Sequence, residues 1–105
     1  MPKLTLLPLA TLGAALAPDT DHLLRSLTAG SMLLIHLPPG DYAFEEHVTP
    51  EYIVCLSGVL RMADAAGNTV SASVGEMIEV SPGLSHHFAP DCAAVVLTLT
   101  QKPVG

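Results

Sequence analysis

Short apolar segments separated by turn residues run along the chain from residue 31 to residue 100. Each segment is rich in Leu or β-branched residues, and Gly, Pro, Asn or Ser lies at its ends. This pattern is typical of the strands of a small all-β domain. Such closely spaced strands predict an antiparallel sandwich or barrel. The predicted strands are 31–37, 41–48, 51–56, 59–63, 69–74, 77–80, 86–89 and 93–100, with a hairpin turn at 64–68.

The segment 1–30 has a different pattern. We predict a strand at 4–7, then a covering turn or short helix, while 19–27 has either the spacing of an amphipathic helix or an irregular structure. The apolar start of the chain also resembles a secretory signal, but Pro8 interrupts it and Pro18 follows the small residues of 15–17. We therefore expect 1–30 to cover the barrel, and we expect a cytoplasmic protein.

The composition excludes several classes of protein. The chain has 105 residues, of which 50% are apolar and 13% charged, and its formal net charge is −6. This length predicts a single domain, 1–105, with the barrel in 31–100. Little charge and much apolar content exclude intrinsic disorder. Four Lys and Arg residues are too few for a basic surface, so neither nucleic acid nor a membrane is an expected partner. Cys55 and Cys92 have no metal-ligand spacing and are predicted to be small buried side chains.

The densest group of reactive side chains lies in 45–51, Glu-Glu-His-Val-Thr-Pro-Glu. Alternation along a strand places Glu45 and His47 on the same face. If 41–48 and 51–56 pair as a hairpin, the carboxylate of Glu51 lies beside them, and closure of the barrel brings His86 to the same place. Two imidazoles and two carboxylates that converge on one point form a site for a first-row transition metal.

Two separated motifs are similar to those of the cupin superfamily. The first, 40–58, is a glycine followed by Glu-x-His, by a glutamate after three more residues and by a glycine after six more. The second, 75–86, is a glycine followed after five residues by Ser-Pro-Gly and after two more by a histidine. The two motifs occur in the order and at nearly the spacing of the family, so the chain resembles a small cupin-2 protein.

This resemblance implies a small all-β fold, the antiparallel double-sheet jelly-roll barrel also called a double-stranded β-helix. Carried over position by position, it implies a divalent Fe, Mn, Ni or Zn ion held by Glu45, His47, Glu51 and His86. Glu45 stands where the family has its first histidine. It is therefore a fourth ligand, a general acid or base beside the metal, or part of a site that has lost its metal.

These residues leave two main functions open. One is a metal-dependent oxygenase or isomerase whose substrate, bound in the barrel, is a small organic acid, sugar or aromatic diol. The other is a non-catalytic barrel that binds a metal or a small molecule, and a barrel without metal is a third alternative. His36 and His87 are predicted to be structural. Alternation places Tyr42 and Phe44 opposite the metal ligands, and exposed rings on such an apolar chain favour a homodimer.

Overall fold

A computed structural model describes residues 2–102 of the chain. Within these residues the backbone forms one short helix and seven strands. No helix in this part of the chain is long and apolar enough to cross a membrane. In chain order the elements are α1 (Leu9–Ala14), β1 (His22–Leu27), β2 (Gly30–Leu37), β3 (Glu51–Asp64), β4 (Thr69–Ala72), β5 (Met77–Val80), β6 (His86–Phe88) and β7 (Ala93–Gln101).

Strand β3 belongs to two sheets. Its first half pairs with β5 and β7, and β2 and β1 continue that sheet beyond β7. Its second half lies between β4 and β6. A bulge between Cys55 and Ser57 separates the halves, and Gly58 follows it with a φ of 73°. Because a bulge bends and twists a strand, β3 passes from one sheet to the other, and the predicted all-β antiparallel fold with two sheets is confirmed.

The core fills the space between the sheets. Leu37, Ile53, Leu60 and Val96 are fully buried, and both cysteines are buried and free, as predicted. The register of β2, β7 and β3 places residues in layers across the sheet, since Thr98 lies opposite both Leu33 and Ile53. In the outermost layer Thr100 of β7 lies opposite Glu51. The apolar core therefore ends at the layer that contains Glu51, one of the candidate ligands.

Two predictions for 1–30 were wrong and one was right. The segment 4–7 forms no strand, and the side chains of Leu4 and Leu6 are fully exposed. The short helix predicted after it is present as α1. The segment predicted as helix or irregular cover contains strand β1, which pairs with β2 at the edge of the sheet. Backbone pairing with β2 thus outweighs the helical spacing of the leucines, because tertiary contacts commonly override the helix propensity of a short segment.

The predicted strand 41–48 is also wrong. In that segment an isolated bridge joins Glu45 to His86, and no named strand includes it. The predicted hairpin partner, the first half of β3, already has β5 on one edge and β7 on the other. A strand has only two hydrogen-bonding edges, so 41–48 cannot pair with it. The remaining predicted strands are present, with 51–56 and 59–63 joined into the single bulged strand β3.

Candidate metal centre

Glu51 is the first residue of β3 and lies between Val80 of β5 and Thr100 of β7. Its side chain is only 14% exposed. Burial raises the pKa of this carboxyl above its ordinary value, although the neighbouring His47 and His86 act in the opposite direction. An ionised carboxylate at this depth therefore needs a positive charge beside it.

His86 opens strand β6 and is 4% exposed. Its Nδ1 lies 2.8 Å from the carbonyl oxygen of Leu84. A carbonyl can only accept, so Nδ1 carries the proton and donates it, and Nε2 is left with its lone pair. That Nε2 lies 3.5 Å from Oε1 of Glu51 and has no hydrogen-bond partner. Two acceptor atoms thus face each other in a buried place, and a cation or a proton between them is required to offset their repulsion.

Backbone hydrogen bonds hold Glu45 and His47 against this pair. The N–H of Glu45 donates to the carbonyl of His86 at 2.8 Å, and the N–H of His86 donates back at 3.0 Å. The N–H of Gly83, in the turn before β6, donates to the carbonyl of His47 at 2.7 Å. The predicted convergence of these side chains therefore occurs, but through bonds to β6 and its turn rather than through a hairpin with β3.

The structure brings three of the predicted ligands into one group and places the fourth beside it. Nε2 of His47 lies 3.5 Å from Oε2 of Glu45 and 3.9 Å from Oε2 of Glu51. Donor atoms of Glu45, His47 and His86 all lie within 4.8 Å of one another. Glu51 contacts both histidines but does not belong to that group.

The donor set fits a divalent transition metal. Two donor atoms that each lie ~2.1 Å from a common ion are ~3.0–3.4 Å apart. The contacts of 3.5, 3.5 and 3.9 Å are close to that range, whereas the donor atoms of Glu45, His47 and His86 as a group lie within 4.8 Å of one another and would have to draw closer. The buried Nε2 atoms of His47 and His86 both lack hydrogen-bond partners. Imidazole and carboxylate together suit Fe, Mn, Ni or Zn.

A cavity of about 140 Å³ opens beside these ligands. Pockets for drug-sized ligands have volumes of ~300–1,000 Å³, so this cavity suits a ligand smaller than a typical drug molecule. Its walls combine apolar side chains of β2 and β6 with a group of acidic side chains. The lining residues are Asp19, Asp21, Leu33, Ile35, Glu45, His47, Glu51, Phe88 and Thr100.

Sequence reasoning missed Asp19 and Asp21 as residues of the site. The helical alternative for 19–27 puts them at the start of a helix, where acidic residues serve as caps. In the structure they lie in the turn before β1, where Asp19 has a φ of 53° and its N–H donates to the carbonyl of His36 at 2.9 Å. This position depends on a contact with β2, so no local signal in the sequence indicates it.

The other aromatic and histidine side chains are structural. Nδ1 of His36 lies 3.1 Å from the carbonyl oxygen of Leu16. The ring of His87 stacks on Phe44 with centroids 4.0 Å apart. Tyr42, predicted to be exposed, is half-buried: it packs edge-on against Phe88 and donates its hydroxyl to the carbonyl of Pro38. Phe44 is 52% exposed, as predicted for one of the two rings.

Comparison with known proteins identifies the fold. A cupin superfamily protein from Desulfitobacterium hafniense superposes with a TM-score of 0.77 at 17% identity, covering 98% of this chain and 95% of that chain. A cupin-2 domain protein from Shewanella frigidimarina gives a TM-score of 0.76 at 15% identity, covering 88% of this chain and 89% of that chain. This chain has the cupin fold. No protein-family model and no curated protein sequence matches it.

An enzyme is also among the structures that resemble this chain. Hydroquinone 1,2-dioxygenase in complex with Cd²⁺ and 4-hydroxybenzonitrile gives a TM-score of 0.72 at 11% identity, covering 89% of this chain and 70% of that chain. At such identities the likeness establishes the fold alone, because one fold can carry many unrelated activities.

Proposed function

We propose that this cupin binds one divalent transition metal through Glu45, His47, Glu51 and His86, and that it is a metal-dependent oxygenase or isomerase of a small organic molecule. The observation that carries the proposal is the contact between Nε2 of His86 and Glu51. Both atoms are buried acceptors 3.5 Å apart. A metal ion accepts electron pairs from both, and no hydrogen bond in the described residues serves that Nε2.

Charge balance supports a divalent ion. The two carboxylates of Glu45 and Glu51 carry −2 when ionised, which a divalent cation neutralises. Without a cation, the buried Glu51 has to keep a proton to lower the repulsion, and burial raises its pKa in that direction. The site is thus built for either a metal or a trapped proton, and the second histidine favours the metal.

The four ligands differ in depth, and their roles follow from it. The side chains of His86 and Glu51 are 5% and 14% exposed, so they anchor the ion at the end of the core. The side chain of Glu45 is 57% exposed at the mouth of the cavity. A carboxylate in that place can turn away from the ion, contact a bound molecule and hold or accept its proton.

The cavity positions a molecule and limits water around it. Leu33, Ile35 and Phe88 provide apolar walls, and Thr100 provides a hydroxyl for orientation. A bound Fe or Mn ion supplies Lewis acidity, and Fe(II) held by two histidines and a carboxylate supplies dioxygen chemistry. The chain itself contributes the binding surface, the exclusion of water and the proton acceptor Glu45.

Metal analysis of the protein purified without an affinity tag tests this proposal. We expect close to one equivalent of metal after incubation with Mn, Fe, Ni or Zn. His47→Ala and His86→Ala should lose it, whereas His22→Ala, an exposed histidine on β1, should retain it. Less than about 0.1 equivalent of every metal in the unmodified protein would refute the site.

A non-catalytic metal- or small-molecule-binding barrel is the second candidate. It is favoured by the number of donors, because four protein ligands can close a tetrahedral shell and closed shells are typical of structural sites. Water proton relaxation with Mn(II) bound distinguishes the two functions. A relaxation rate that shows rapidly exchanging bound water supports an open, reactive ion, and its absence supports the binding module.

We also propose that the protein is a homodimer. Phe44 precedes Glu45 and Val48 follows His47, and their side chains are 52% and 79% exposed, an unusual position for large apolar side chains on a monomer. Light scattering coupled to size exclusion tests this proposal, and a monomer at micromolar concentration would refute it.

A further inference from the structure

We infer that the cavity beside the metal ligands selects positively charged or neutral molecules and rejects anions; this inference rests on the proposed metal site. Four carboxylate side chains line the cavity, and none of the Lys or Arg residues of the chain is among the lining residues. Of the expected substrate classes, it therefore disfavours small organic acids and favours diols, sugars and amines.

The acidic lining exceeds what a metal can neutralise. Four ionised carboxylates and one divalent ion leave a net charge of −2 on the walls. Glu45 and Glu51 are accounted for as ligands, so Asp19 and Asp21 are the excess. One of the basic side chains, Arg61, pairs with Asp91 at 2.9 Å, just before the start of β7 and at the opposite end of that strand from Thr100.

The backbone places both aspartates at the rim. Asp19 has a φ of 53°, and its N–H donates to the carbonyl of His36 on β2. Asp21 follows two residues later, directly before β1, and both side chains line the cavity together with Leu33 and Ile35. Asp19 and Asp21 are themselves exposed, so water screens part of their field at this rim.

The metal site and the cavity share residues, because the buried Nε2 of His86, which has no hydrogen-bond partner, lies 3.5 Å from Glu51, one of the lining residues. A unit charge ~6 Å from one exposed carboxylate, at an effective dielectric of ~40–80, changes a dissociation constant by about 3- to 10-fold. Two excess carboxylates should therefore separate cations from anions clearly.

The test uses three probes that share a metal-binding pyridine nitrogen and differ in the charge at the opposite end. They are 4-(aminomethyl)pyridine, 4-methylpyridine and 4-pyridinecarboxylate. Their affinities for the Co(II)-loaded protein are measured from its visible absorption and corrected by their affinities for free Co(II). We expect each step from cation to neutral to anion to weaken binding by about tenfold, and added salt to narrow the difference.

Charge-removing variants locate the effect. The double variant Asp19→Asn, Asp21→Asn should reduce the cation-to-anion ratio by about tenfold or more, with unchanged Co(II) content and unchanged affinity for 4-methylpyridine. Asp91→Asn removes one carboxylate near the opposite end of β7 and should leave all three affinities as they were. Equal affinities for the three probes, or an unchanged ratio in the double variant, would overturn the inference.

Failure of the metal site is distinguishable from failure of this inference. Co(II) content is measured first, and a protein that takes up no Co(II) refutes the proposed function. The affinities of the three probes for the metal-free protein are then measured from the amide chemical shifts of Glu45 and Thr100 and ranked. The exposed carboxylates of Asp19, Asp21 and Glu45 should give the same order there, and an anion that binds as well as the cation would again overturn the inference.

Discussion

Replacing Glu51 by Gln should change the stability of this protein in opposite directions with and without metal. Glutamine keeps the size of the side chain but removes its charge. In the metal-free protein, burial raises the pKa of Glu51, so its ionised form at neutral pH is unfavourable and the neutral variant should be more stable. In the loaded protein, the variant lacks an anionic donor 3.5 Å from His86 and 3.9 Å from His47.

The magnitude follows from binding linkage. At a metal concentration of 100 times its dissociation constant, the unmodified protein gains ~2.7 kcal/mol. Loss of an outer hydrogen-bond partner already weakens metal sites by ~10–100-fold, so loss of a ligand should weaken this one by at least ~100-fold. The variant then gains only ~0.4 kcal/mol at the same concentration. For a domain of this size these gains correspond to rises in Tm of ~10–20 °C and ~2–3 °C.

The pH dependence has a definite sign. A carboxyl whose pKa is higher in the folded protein contributes stability below its unfolded pKa and loses it as pH rises through the folded value. The metal-free protein should therefore become less stable as pH rises above the ordinary glutamate range, and Glu51→Gln should weaken that trend. Bound metal should remove it, because the cation favours the ionised carboxylate.

Thermal unfolding followed by circular dichroism tests these expectations, in chelator and in Mn(II) or Zn(II), from pH 4 to pH 8. Glu46→Gln is the matched control, because Glu46 is an exposed neighbour within the ligand segment. It should leave the metal-induced rise in Tm unchanged. If Glu51→Gln destabilises the metal-free protein, or if its metal-induced rise equals that of the unmodified protein, the reasoning about Glu51 is wrong.

Three further predictions address the fold and the site. Gly58→Ala should destabilise the protein far more than Gly67→Ala. Both glycines have a positive φ, which costs alanine ~1–2 kcal/mol of stability at either position. A Cβ at Gly58 would in addition lie 2.0 Å from the carbonyl oxygen of Ala93, whereas a Cβ at Gly67 meets nothing within 4 Å. Equal changes in urea midpoint would contradict this. Glu45→Ala should weaken metal binding less than Glu51→Gln, because the side chain of Glu45 is 57% exposed; calorimetric titration measures both, and the reverse order would show that Glu45 is the stronger ligand. Both buried cysteines should resist a thiol reagent at neutral pH until the protein unfolds, and rapid reaction of the native protein would contradict their burial.

The strands that the sequence predicts best are those whose pattern is local. The segments 31–37, 77–80 and 93–100 agree with β2, β5 and β7 to within a residue at each end. Each alternates or is continuously apolar, and each is bounded by glycine or proline. Side-chain alternation and the effects of these turn residues act over a few positions, so they can be read without knowing the rest of the chain.

The predictions that failed depend on partners far along the chain. An extended segment becomes a strand only if another strand leaves an edge free for it. The sequence around 41–48 alternates well, but β5 and β7 already occupy both edges of its expected partner. The spacing of the leucines in 19–27 fits a helix, but 22–27 pairs with the free edge of β2 and forms strand β1.

The candidate site shows the same division. The sequence by itself determined the types of the donors and their spacing in two motifs, because ligand chemistry is a property of side chains. The tertiary structure decided how Glu45 meets His86, how deep each donor lies, and that Asp19 and Asp21 share the cavity. Depth and proximity arise from the packing of segments distant in sequence. The electrostatic field that selects a ligand could therefore be read only from the folded chain.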